Sequence, residues 1–144
     1  MQGSTSWFHW AALSAVFAAL TAILAKLGVR DVDPDLATLV RTAFIIVLLS
    51  LFVALTGKWT NPLTLSSRTL LFLGLSALAT GASWVCYFRA LQLGDASKVA
   101  PVDKLSLVLV AIFAVIFLAE RPSPREWSGI ALVASGVLLL ALGR

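Results

Sequence analysis

Reactive side chains are scarce in this chain. It holds one cysteine, Cys86, and one histidine, His9, so an intrachain disulfide is impossible and a cysteine metal cluster is absent. No nucleophile–base pair, HExxH, glycine-rich phosphate loop or set of paired carboxylates appears. An enzyme is therefore not expected, nor is a metal or a cofactor, and His9 receives no function. Charge is scarce too: 12% of residues are charged, against roughly 25% in a soluble domain. With 60% hydrophobic residues and a mean hydropathy of +0.97, a soluble domain of 144 residues could not hide its apolar surface, and any chemistry must take place within a bilayer. The net charge of +4 and pI near 9.9 come from Lys and Arg scattered among helix ends without a basic cluster, which argues against a nucleic-acid partner. The opening residues MQGSTSW lack the basic start of a signal peptide, so the apolar run behind them reads as a retained first span.

The pattern predicts an all-α, polytopic membrane bundle of five transmembrane helices in one domain over 1–144, with spans at about 7–25, 36–56, 70–93, 99–119 and 127–143. The first ends at Lys26 and contains no carboxylate. Pro34 leads into the second, which Arg41 interrupts early, and WTNPLTLSSR is rich in turn formers. The third carries Gly74, Ser76, Thr80, Gly81 and Ser83, small enough for close helix approach. Five spans put the termini on opposite sides. Connections on the N-terminal side hold Lys58, Arg68, Arg121 and Arg125; the other side holds Lys26, Arg30, Lys98 and Arg144. This tie gives the positive-inside rule little to act on, so the sequence permits insertion in both orientations. Trp7, Trp10, Trp59 and Trp127 fall at the N-terminal-side boundary, as an aromatic belt would; Trp84 does not.

The stretch Lys98 to Arg121, KVAPVDKLSLVLVAIFAVIFLAER, concentrates the unusual chemistry. Its uninterrupted apolar core, Leu105 to Ala119, is about 22 Å long at ~1.5 Å per residue, short of ~30 Å of hydrocarbon, which places Asp103 and Lys104 at membrane depth. Charge there costs roughly 2.5 to 3.5 kcal/mol per residue on insertion scales. Arg41, Arg89 and Lys26 fall at a similar height, giving four cations and one anion in one layer. Two readings stand: a gate or anion-attracting vestibule with Asp103 exchanging partners, or long side chains snorkelling to headgroups with Asp103, behind Pro101, in a first helical turn. Trp84, Tyr87 and Phe88 share a helix face that could stack an organic or cationic substrate or simply pack. Glu120 and Arg121 end the fourth span, where a carboxylate opposes the helix dipole, so a structural bridge is expected. Gly129, Gly136 and Gly143, spaced by seven, form a contact seam for a partner subunit or for the rest of the bundle, beside a second stripe of Ser128, Ala131 and Ser135.

These residues resemble a known family. The run ASWVCYFRALQLGDASKVAPVDKLSLVLVAIFAVIFLAERPSPREWSGIALVASGVLLL, with Trp84, Arg89-Ala-Leu, Asp103-Lys104, Glu120-Arg and Gly129-x6-Gly136 in that order, is similar to an EamA-type repeat of the drug/metabolite transporter superfamily. The span ending in Lys26 and the Arg41 helix extend the likeness over nearly the whole chain. The resemblance implies a secondary transporter in a cell inner membrane, moving a small organic solute by alternating access, with export as the direction. Larger members carry two inverted five-helix repeats enclosing a central site. One repeat with an odd helix count recreates that arrangement as an antiparallel, dual-topology homodimer. The four-helix small multidrug resistance branch dimerises through a similar GxxxxxxG pattern, but its coupling glutamate has no counterpart in AALSAVFAAL here, so its proton chemistry is not implied. On the transporter reading, Trp84 and Tyr87 would line the pathway and Asp103 with Lys104 would form a polar element near its mouth. Rival expectations are a lipid-carrier translocase subunit, with the cations holding a phosphate head, and a non-transporting scaffold or partner subunit.

Overall fold

The computed structural model describes residues 4–142. The helices are α1 (Ser4–Gly28), α2 (Pro34–Leu55), α3 (Ser67–Leu93), α4 (Ala96–Asp103), α5 (Ser106–Leu118) and α6 (Pro124–Leu142), with a 3-10 turn at Pro62–Thr64. Among the described residues, five helical segments are long and apolar enough to cross a membrane, α4 and α5 together forming one of them. The all-α, five-span reading is thus what the chain adopts: it is a multi-pass membrane protein.

Local chemistry sets the helix ends. Asp33 caps α2, its Oδ1 accepting from the N–H groups of Asp35 (2.9 Å) and Leu36 (3.0 Å), while Pro34 takes the first helical position, where its missing N–H is not needed. Beyond α2 the chain reverses through Gly57 at φ +66°, a left-handed conformation that glycine adopts without a Cβ clash. Ser66 Oγ accepts from the N–H of Thr69 (3.1 Å) and opens α3. Ser123 and Glu126 form a capping box at α6: the Ser123 N–H and hydroxyl both donate to Glu126 Oε2 (2.6 and 2.8 Å), and the Glu126 N–H donates back to Ser123 Oγ (3.3 Å).

The fourth span departs from the continuous helix expected over 99–119. The helix begins at Ala96, so Pro101 lies inside α4 and Asp103 closes that helix instead of opening one. Pro101 has no N–H to give the preceding turn and its ring crowds it. The ladder tightens to bonds three residues apart, from the N–H of Lys104 to Pro101 O (2.9 Å), Leu105 to Val102 (3.0 Å), Leu107 to Lys104 (3.0 Å) and Val108 to Leu105 (3.0 Å), and α5 resumes at Ser106. The whole segment of 23 residues covers about 34 Å, enough for the bilayer that its apolar core alone could not cross.

The chain divides into two compact units, one running to Leu93 and the other starting at Gly94. In the first, α3 packs against both α1 and α2. Its buried residues, Ala22, Ala25, Val29, Thr38, Phe88 and Leu91, all lie toward the C-terminal ends of α1 and α3 and the start of α2. In the second, α6 packs against α4 and α5, with Ala114 and Val137 buried. Most large apolar side chains are exposed, as suits a chain whose solvent is lipid, where apolar surface carries no penalty and contacts come from packing and hydrogen bonds.

Candidate functional site

In the first unit, polar groups gather at the C-terminal end of α3. The last carbonyls of a helix lack intrahelical partners, and Lys26 Nζ of α1 donates to one of them, Leu91 O, placing a cation at the negative end of the helix dipole. Gln92 Nε2 donates to Val32 O in the α1–α2 connection (3.3 Å). Arg89 forms a fork with Asp35, Nε to Oδ1 at 3.0 Å and Nη2 to Oδ2 at 2.6 Å, possible because α2 and α3 run antiparallel and bring the start of one beside the end of the other. Sequence reasoning left Asp35 in the loop. The usable signal was that an arginine one turn from the end of a hairpin helix calls for a carboxylate in the first turn of its neighbour.

Arg41 behaves differently. Its guanidinium carbon lies 4.3 Å from the centroid of Trp84 and 5.6 Å from that of Phe88, within the range of cation–π attraction, and it forms no ion pair with another described residue. Counted along the helices, Arg41 stands about 10 Å inside the start of α2 and Trp84 about 13 Å inside the end of α3. The side chain thus turns inward instead of snorkelling to the surface. The aromatic face proposed for a substrate is taken up by the protein's own cation at Trp84 and Phe88, while Tyr87 beside them is half-buried. Three of the four cations expected in one layer therefore have distinct settings: a helix end for Lys26, a carboxylate for Arg89 and an aromatic pair for Arg41.

Beside Arg41 an open groove of about 610 Å³ separates α1 from α2. Leu24 and Gly28 line one side, Leu36, Val40, Phe44 and Leu48 the other, and Phe88 contributes from α3. Arg41 is the only charged residue in this lining.

In the second unit, Lys104 Nζ lies 3.3 Å from Asp103 Oδ2, and this sequence-adjacent pair sits where α4 gives way to α5. Glu120 and Arg121 lie beyond α5, whose end is turned by Ala119 at φ +54°; the Glu120 N–H then donates to Ala114 O (3.1 Å). The expected bridge from the Glu120 side chain is not made within the described residues, because the helix has already ended at Leu118 and both side chains are exposed. On α6, nothing approaches within 4 Å of the position a Cβ would take at Gly129 or Gly136, so this face is open; Gly143 lies outside the described residues. Ser128 and Ser135 of the adjoining stripe donate to Pro124 O and Ala131 O of their own helix, both at 2.8 Å, and need no partner. Among the described residues no three His, Cys, Asp or Glu side chains gather to hold a metal.

The sequence matches the EamA-like transporter family over residues 5–142. It is 57% identical to the "Uncharacterized transporter in cobO 3'region" of Sinorhizobium sp over 139 residues, 96% of this chain and 99% of that protein. It is also 34% identical over 84 residues, 56% of this chain and 76% of the relative, to the "Probable 4-amino-4-deoxy-L-arabinose-phosphoundecaprenol flippase subunit ArnE" of Salmonella enteritidis PT4. The corresponding protein of Salmonella gallinarum matches equally. No solved structure matches.

Proposed function

We propose, because the chain belongs to the EamA-like transporter family, that it is the subunit of a secondary transporter that exports a small organic solute across a cell inner membrane by alternating access. The observation that carries this reading is the interruption of the fourth span at Asp103–Lys104. A broken helix at a charged pair within a membrane segment is the device by which transporters combine a polar element with a hinge, and ionisable residues at that depth default to a role in transport. Asp103 and Lys104 form the moving element near the pathway mouth. Lys26 and Arg89, tied to α3 and to Asp35, belong to the static part. Trp84, Tyr87 and Phe88 line the pathway, and Arg41 is held against two of them.

Two copies inserted antiparallel make the working unit. Supporting this are the odd number of spans, the evenly divided connection charges, and the open Gly129–Gly136 face of α6, which a second copy would cover. Flux in liposomes reconstituted with purified protein, under proton gradients of either sign, tests the transport reading; absence of solute movement in both would sink it. Reporter tags at both termini test the assembly. Each terminus seen on both faces supports dual insertion, and a single orientation removes the antiparallel homodimer.

A lipid-carrier translocase subunit is the second reading, favoured by the named role of the ArnE relatives and by the open, largely apolar groove between α1 and α2. It predicts movement of a polyprenyl phosphate between leaflets, lost when Arg41 is replaced.

A further inference from the structure

We infer that the groove between α1 and α2 is a binding site for a single-chain anionic amphiphile drawn from the membrane, whose charged head pairs with Arg41 and whose apolar body lies along the helices. As a cargo site it rests on the transport reading above; as a binding site it does not.

Three features of the groove fix the chemistry of its occupant. Its volume of about 610 Å³ falls in the range of sites that hold small organic ligands, about 300–1,000 Å³. Along α2 its lining runs from Leu36 to Leu48, about 18 Å, so the occupant is elongated. Its walls are aliphatic and aromatic apart from Arg41 and the hydroxyl of Thr21, and they are exposed: Leu24 and Leu48 are each 65% exposed and Phe44 is 73% exposed. An apolar body already dissolved in the bilayer can enter sideways without crossing water.

Arg41 supplies the selectivity. Trp84 and Phe88 attract the guanidinium through their rings but bring no opposite charge, and Arg41 forms no ion pair among the described residues, so its N–H donors suit an anionic acceptor. Two other cations of the unit offer less: Arg89 already makes two bonds to Asp35 and Lys26 donates to Leu91 O. A carboxylate or phosphate head can take two parallel bonds from the guanidinium. An uncharged head leaves the cation unpaired, and a cationic head is repelled. Apolar lining extends on both sides of Arg41, so the fit is to a head set partway along the groove with its chain directed toward Leu48.

The test uses the full chain in maltoside micelles, titrated with dodecyl phosphate, dodecanol, dodecyltrimethylammonium and inorganic phosphate, with binding followed by tryptophan fluorescence and by calorimetry. Saturable binding of dodecyl phosphate about tenfold or more tighter than that of dodecanol is expected, from one charge-assisted pair, with inorganic phosphate and the cation silent. Arg41→Gln should abolish that preference while leaving dodecanol binding intact, and Arg41→Lys should keep part of it. Ala37→Phe, one turn before Arg41 on the same wall, narrows the groove and should weaken dodecyl phosphate and dodecanol alike, which keeps the inference testable if Arg41 variants fail to fold. Equal binding of charged and uncharged probes, retained anion preference in Arg41→Gln, or competition by inorganic phosphate as strong as the amphiphile would overturn it. Dissociation of the dimer by Ala37→Phe with probe binding unchanged would assign the groove to a second copy and also overturn it. Flux of other solutes without amphiphile binding refutes this inference alone, and amphiphile binding without flux refutes only the transport reading.

Discussion

Asp35, one residue into α2, receives both arms of Arg89 from the last turn of α3, at 2.6 and 3.0 Å. The pair joins two antiparallel spans at one membrane boundary, and its two parallel bonds fix the rotation of α3 that carries Phe88 into the core and Trp84 beneath Arg41.

That relationship predicts coupling between the two positions. Asp35→Asn and Arg89→Gln should each lower the melting temperature in detergent, and the double variant should be no less stable than the worse single one, since the second change removes no further bond. Exchanging the residues, Asp35→Arg with Arg89→Asp, should recover part of the loss. Additive losses would show that the fork contributes nothing of its own.

A second prediction concerns Ala119, a non-glycine residue at φ +54° that ends α5. An L-residue in the left-handed region is disfavoured by about 1 kcal/mol, so Ala119→Gly should stabilise the protein by roughly that amount. Gly57→Ala, at φ +66°, should destabilise it by about as much. Paired denaturation curves in mixed micelles measure both.

Removing the cap of the last helix should be felt as well. Ser123→Ala deletes the hydroxyl that accepts from the Glu126 N–H and donates to its carboxylate, and should cost about 1 kcal/mol. Hydrogen exchange should rise in the first turn of α6 and nowhere else; exchange rising throughout the chain would contradict a local role.

The interrupted span gives a prediction in which stability and activity part. Pro101→Ala restores an N–H and removes the ring clash, so it should raise thermal stability by up to about 3 kcal/mol while slowing flux, because a continuous helix replaces the hinge. Asp103→Asn should slow flux and leave folding intact. Unchanged transport in both variants would remove this segment from the mechanism.

How far the sequence reached differs between the bundle and the site. The apolar runs of α1, α2, α3 and α6 announced their spans directly, because in hydrocarbon only a fully hydrogen-bonded helix is tolerated and nearly twenty apolar residues leave little else to form. The charges at Arg41, Arg89 and Asp103–Lys104 were conspicuous for the same reason. Their partners were not. Asp35 reads as part of a polar loop until the hairpin sets it against Arg89, and the stacking of Arg41 on Trp84 depends on residues more than forty positions apart in the chain.

The sequence by itself determined the membrane class and the number of spans, which follow from composition and run length, and its likeness to relatives placed it in a transporter family. Only the tertiary structure decided which cations are neutralised, where the fourth span breaks, and that Arg41 turns inward beside an open groove. Side-chain pairing across helices depends on their relative rotation and register, and these arise from packing between segments distant in the chain.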